Sequence, residues 1–157
     1  MTPRIDHRRV APEVAQAIAA MERVLDRSPI EPRLRELMKV RASQINGCCY
    51  CLDMHTEDAR AQGETEQRLY ALSAWRESPF FTDRERAALA WTEAVTDLTD
   101  RVPDPVYEQV RAHFSASDIV HLTLVVIAIN AWNRLAVSLR TVPGSHRPAS
   151  SAREAGR

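Results

Sequence analysis

Glycine is scarce, at four in 157 residues, and aromatic side chains make up only 6%. No Asn-Gly or Asp-Gly pair serves as a hairpin signal, and no segment alternates apolar and polar residues convincingly. Both shortages argue against a sheet. Charge of one sign is also missing: 21 Lys and Arg balance 21 Asp and Glu, for a formal net charge of zero. A chain without a basic surface has no electrostatic case for binding nucleic acid or an anionic membrane. Neutrality does little to discourage self-association. The first ten residues are charged and no apolar segment follows, so no signal peptide is expected. The longest apolar stretch, 122–131, is well short of the roughly 20 residues a membrane span needs. These readings give a cytoplasmic expectation.

Cysteines scattered through the chain are absent too. All three, Cys48, Cys49 and Cys51, fall within four residues. A secreted disulfide scaffold spreads its cysteines to staple distant loops. A tight cluster points instead to redox chemistry or metal binding.

What is present is helical periodicity. Val14, Ile18, Met21 and Leu25 form one stripe of a helix over 12–25, with Pro12 suited to its first turn. A second helix starts near Pro32, carries Leu34, Leu37, Met38 and Ile45 on its apolar face, and stops at Asn46-Gly47. A third is expected over 48–63 and a fourth over 65–75. Thr82 and Glu85 form a capping box for a fifth, whose seam is Ala87, Ala88, Trp91, Ala94, Val95 and Leu98. A short helix ends near Phe114, and the last runs from a Ser115 or Ser117 cap to about 140. The expectation is an all-α domain of about seven helices over 1–140. A disordered tail, rich in Pro, Ser, Gly and Arg, is expected over 141–157. Leu122, Leu124, Val125, Val126, Ile127 and Ile129 cover almost the whole circumference of the last helix. Such a helix is either the centre of a domain or buried on its second face by another subunit.

The chemistry concentrates at Cys48-x-x-Cys51-x-x-x-His55. At a helix start, unpaired amides and the positive end of the dipole stabilise a thiolate against an ordinary thiol pKa of about 8.5. Two cysteines one turn apart can meet as a disulfide. His55, four residues after Cys51, lies on the same helical face, about 5–6 Å away between Cβ atoms, within reach for proton exchange. Glu36 lies off the Leu34/Leu37/Met38 stripe. With Val40 and Ser43 it makes a second face leading towards Gly47, where a carboxylate can orient His55. Structural zinc is the chemical rival. However, the four potential ligands lie in one short run, and neighbours such as Cys48 and Cys49 point about 100° apart on a helix. Leu52 after Cys51 excludes the haem-attachment pattern.

The array Glu36, eleven intervening residues, Cys48-x-x-Cys51-x-x-x-His55 resembles the signature of the AhpD-like alkylhydroperoxidase (carboxymuconolactone decarboxylase) family. So do the segments RIDHRRVAPEVAQAI, AWRESPFFTDRERAALAWTEAVT and INAWNRLAVSLR, so that the similarity covers 4–140. The resemblance implies an all-helical fold, a homotrimer or homohexamer, and hydroperoxide reduction without a cofactor or metal. By position, Cys51 would form the sulfenic acid and Cys48 would donate a proton and resolve it. Glu36 and His55 would form the proton relay, and a separate dithiol reductant would restore the pair. One departure is Tyr50, where some members carry a histidine. Cys49 is an extra thiol. The family's other name implies a competing activity, decarboxylation of a carboxymuconolactone-like acid, and a non-enzymatic redox-sensing oligomer is a third reading.

Outside this array, His7, His113, His121 and His146 read as surface or helix-cap residues. Trp75, Trp91 and Trp132 read as packing. Asn130 and Asn133 are amides in need of partners, and Arg134 is expected to seek a carboxylate.

Overall fold

The computed structural model describes residues 2–148; most of the tail expected to be disordered, 149–157, lies outside the described residues. Eight α-helices follow in chain order: α1 His7–Val10, α2 Pro12–Leu25, α3 Pro32–Ile45, α4 Cys49–Ala61, α5 Glu66–Ala71, α6 Asp83–Thr96, α7 Asp104–Arg111 and α8 Ala116–Leu139. A single 3₁₀ turn, Leu72–Ala74, extends α5. Among the described residues there is no strand. The element that periodicity could not supply is α1, too short to show a repeat and set up by the Asp6 carboxylate, which accepts the Arg8 and Arg9 amides.

Local chemistry explains the boundaries. Prolines open α2, α3 and α7, where their missing N–H costs nothing. Reciprocal capping boxes, Thr82 with Glu85 and Ser115 with Asp118, open α6 and α8.

Helices α3 and α8 are the shared spine. On α3, Leu37, Met38, Val40 and Ala42 are buried, and so are Glu36, Lys39 and Ser43, which places the second face expected around Glu36 inside the protein. On α8, Leu122, Val125, Val126, Ala128 and Ile129 are buried against α2, α3 and α6. Trp75 and Trp91 are core residues, as their spacing suggested. At 24 residues α8 is long and apolar enough to cross a membrane, but its buried side accounts for much of that apolarity. The other side is open: Val120 and Ile127 remain 68% and 49% exposed, and Ile127 lines a groove with Val95 and Leu98 of the α6 end. The helix is therefore internal on one face and unpartnered on the other.

A small third cluster joins spine and chemistry: Ile129 and Ala136 of α8 and Ala42 of α3 pack on Cys48 and Cys51. Ile129 is completely buried there. Ile129→Ala is expected to lower unfolding free energy by about 2–5 kcal/mol in chemical denaturation, against about 1 kcal/mol for the cap variant Ser115→Ala. Equal losses would show that the cluster is loosely packed.

Candidate active site

The cysteine helix starts where α3 stops. Gly47 takes φ +62°, a left-handed conformation open to glycine without strain, and reverses the chain between the two helices. The turn is anchored to α8: the Asn46 amide donates to Asn130 at 3.0 Å and to Asn133 at 2.8 Å, and Asn133 donates to Ser43 at 3.1 Å. These are the helix-end bonds that two amides in an apolar helix required. Among the described residues Arg134 donates to the backbone and side-chain oxygens of Asn130.

Cys48 occupies the N-cap position of α4, its sulfur accepting the Cys51 amide at 3.4 Å. The Cys48 and Cys51 sulfurs are 2.6 Å apart and both residues are 1% exposed. Charge is divided unequally between them. The hydrogen bond from the Cys51 thiol, aided by the Cys51 amide and the Asn133 side chain, brings Cys48 down to about 7 although burial opposes it. Cys51 is driven far upward by the hydrogen bond it donates to Cys48, by burial and by the adjacent charge. Of the two thiols, Cys48 is thereby the more easily ionised. Cys49 is exposed, on the outside of the helix start.

His55 is buried, as is Glu36, and the two meet: Nδ1 to Oε2 is 2.7 Å. Its other nitrogen, Nε2, is buried without a hydrogen-bond partner among the described residues. Glu36 is further bound by the Lys39 ammonium at 3.3 Å, which also reaches Glu22 at 3.0 Å. Burial raises the Glu36 pKa, but the His55 hydrogen bond and the His55 and Lys39 charges outweigh it and hold the carboxylate below its ordinary range. For Lys39 burial is likewise overcome, by Glu36 and Glu22, and the ammonium is held. The result is a chain Glu22–Lys39–Glu36–His55 ending in a free imidazole nitrogen.

Cys51 and His55 share the wall of a cavity of about 260 Å³ with Tyr50, Met54, Trp132, Leu135 and Ala136; His7, Arg8, Glu22, Lys39 and Thr141 complete it. Cys48 opens instead onto a separate cleft of about 140 Å³ beside Gly47, Cys49 and Val137. All four residues expected at the site are therefore brought together, with Cys51 facing the larger space and Cys48 behind it.

Several contributors were not identified from sequence. Lys39 had one visible signal, a charge three residues from Glu36 on the same face of a helix otherwise buried. Trp132, read as packing, is a cavity wall. His7 and Arg8 reach the cavity only because α1 folds back over it, which no spacing reveals. The only group among the described residues with metal-like proximity is not the cysteine cluster but Glu36, His55 and Asp58, whose ligand atoms lie within 4.8 Å of one another. The Lys39 ammonium against Glu36 opposes a cation there.

The sequence profile of the carboxymuconolactone decarboxylase family matches residues 12–94. The chain belongs to that family. It is 44% identical over 140 residues to the uncharacterized protein YdfG of Bacillus subtilis, covering 88% of this chain and 95% of that one. A crystal structure of an Agrobacterium tumefaciens protein of unknown function, proposed as an AhpD antioxidant-defence protein, superposes with a TM-score of 0.89 at 42% identity, over 92% of this chain and all of that one. An uncharacterized peroxidase-related protein from Silicibacter gives 0.75 at 28% identity, over 83% of this chain and 70% of that one. The fold is thus AhpD-like, with its C-x-x-C motif at a helix start.

The division of charge can be measured. In a Cys49→Ser background, alkylation or thiolate absorbance should titrate with a midpoint near 7. Cys51→Ala removes the donor and should move Cys48 towards the ordinary thiol value of about 8.5, whereas Cys51→Ser, which keeps a donor, should leave it low. A midpoint unmoved by Cys51→Ala would mean that the helix start alone stabilises the thiolate.

Proposed function

We propose that this protein is a cytoplasmic thiol peroxidase that reduces an organic hydroperoxide with the Cys48/Cys51 pair. The reading rests chiefly on one arrangement: Cys51 on a cavity wall beside His55, with the Cys48 sulfur 2.6 Å behind it. Cys48 takes the Cys51 proton as Cys51 attacks the outer peroxide oxygen. The O–O bond breaks, Cys51 becomes a sulfenic acid, and the departing alkoxide takes a proton from an imidazolium at His55, whose charge Glu36 stabilises. Cys48 then attacks the Cys51 sulfur; the S–O bond breaks and the hydroxide leaves as water with the Cys48 proton. Two thiols and one hydroperoxide have become a disulfide, an alcohol and water. A dithiol reductant returns two electrons and two protons. Tyr50, beside Cys51 on the cavity wall, offers a hydroxyl donor but at neutral pH no base.

Decarboxylation of a lactone acid makes no use of a redox pair, and the close sulfurs favour the oxidoreductase over it. They do not by themselves favour turnover over redox sensing; sustained peroxide consumption with a dithiol distinguishes those, and release of CO₂ would identify the lyase. Treatment with one equivalent of peroxide should remove two hydrogens from the intact mass and leave Cys49 alkylatable. Cys51→Ser should lose the reaction. His55→Ala should slow it by about 10²–10⁴-fold if the imidazole transfers the proton directly. Wild-type consumption by Cys51→Ser would overturn the assignment.

The same reading includes assembly as a homotrimer or homohexamer. Its support is the exposed apolar groove between α6 and α8, of about 450 Å³, on a chain without net charge. Ile127→Arg should dissociate the assembly in light scattering, and a wild type that is monomeric at tens of micromolar would refute it.

A further inference from the structure

His55 is 5% exposed, and its Glu36 partner 7%. In the reading above, which this inference rests on, His55 gives up a proton in every turnover and must regain one. A buried imidazole needs a path to water for that, and the described structure offers one on the side away from the cysteines. Asp58 lies one turn beyond His55 on α4, and its carboxylate, the Glu36 carboxylate and a His55 ring nitrogen fall within 4.8 Å of one another. Asp58 is thus near enough to the Glu36–His55 pair for a single water to bridge them. Asp58 is in turn bound by His146, Nε2 to Oδ1 2.7 Å. Their side chains are 26% and 23% exposed, so this second pair sits at the surface.

His146 belongs to the segment after α8, and it is held in place. The Gly144 amide donates to Asp53 at 2.7 Å, one and a half turns before Asp58 on the same helix. The segment is thereby bound to α4 at two points. Thr141, at its start, lines both the substrate-sized cavity and the cleft beside Cys48. The ionisable groups facing this path are His7 and Arg8 from α1, Glu22 from α2, Lys39 and Glu36 from α3, His55, Asp53 and Asp58 from α4, and Arg147 beside His146; the α8 residues near the site, among them Trp132, Asn133, Leu135 and Ala136, carry no charge. Imidazole is the side chain suited to taking up and releasing protons near neutral pH.

We propose that Asp58 and His146 form the proton path between the buried Glu36–His55 pair and solvent, making the segment after α8 a working part of the site. Neither residue touches substrate; Asp58 passes the proton through a water and His146 exchanges it with bulk. The proton count of the peroxidase cycle is unchanged: of the two protons the dithiol releases, one stays on Cys51 and the other passes to solvent and is returned to His55 along this path.

The test uses His146→Gln, which keeps the Gly144–Asp53 anchor, and Asp58→Asn. The exchange of the His55 ring N–H with water, read by NMR on the full chain, does not depend on catalysis. It should slow by about tenfold in either variant, below the ~10²–10⁴-fold of a direct general acid, since water still reaches the gap. Concentrated imidazole buffer should restore exchange in His146→Gln, with much less rescue in Asp58→Asn. Peroxide turnover in dilute buffer should follow the same pattern. Wild-type exchange in His146→Gln, or a deficit that imidazole does not relieve, overturns the path. A wild type that never reacts with peroxide counts against the peroxidase reading alone, because the exchange measurement still decides the path.

Discussion

A carboxylate taken out of water must be compensated, and Glu36 sets that requirement at the centre of this protein. Two partners answer it: the Lys39 ammonium from its own helix and the His55 ring from the next, hydrogen-bonded through Nδ1. Each brings a further need. Lys39 is itself buried and takes Glu22 from α2; His55 fixes how α4 lies across α3. Removing one member would leave a buried charge uncompensated, a cost of about 3–5 kcal/mol in comparable settings. The polar chain thus specifies the mutual placement of three helices, and the apolar clusters on either side fill the space it defines. The rotation of α4 that brings His55 to Glu36 is also the one that turns Cys51 towards the cavity.

Much of this was legible in sequence because it is local. A C-x-x-C pair at a helix start, an imidazole one turn on, and a Thr82–Glu85 box are patterns whose geometry the helix itself supplies. Glu36 was legible through the family spacing to Cys48; its place off the apolar stripe of α3 alone reads as a solvated helix residue. What could not be read there is tertiary. Lys39 reads as a solvated helix residue until α2 is seen to bring Glu22 over it, and His146 as a surface residue until the chain is seen to turn back along α4. The seat of the thiolate was equally hidden. A helix start favours charge on either cysteine; the hydrogen bond between the two thiols, which lowers Cys48 and raises Cys51, tilts it towards Cys48. Within the chain Arg134 settles on the amide beside it.

The two sulfurs touch each other yet open onto different spaces, the larger beside His55 and the smaller beside Gly47 and Cys49. Tyr50, Ala136 and Thr141 line both and form the partition. Chemistry at Cys51 is therefore screened from the exposed Cys49 thiol, which lies on the Cys48 side. An accidental Cys49 disulfide would have to form through the thiol that faces away from incoming oxidant.

Helix α8 has its buried face in the core, Trp132, Leu135 and Ala136 on the cavity wall, Asn133 braced against Ser43, and Ile127 and Ala131 on the open groove. Few of its positions answer to a single demand. A substitution that reshapes the cavity alters a neighbour one turn from the groove or the spine, so under the proposed function cavity shape and the α6/α8 groove are coupled by helical pitch. Lineages exploring new ligands would find more freedom in Met54 and the α1 residues His7 and Arg8, which border the cavity without carrying the core. Evolutionary change in this architecture is channelled to the roof of the site and away from its floor.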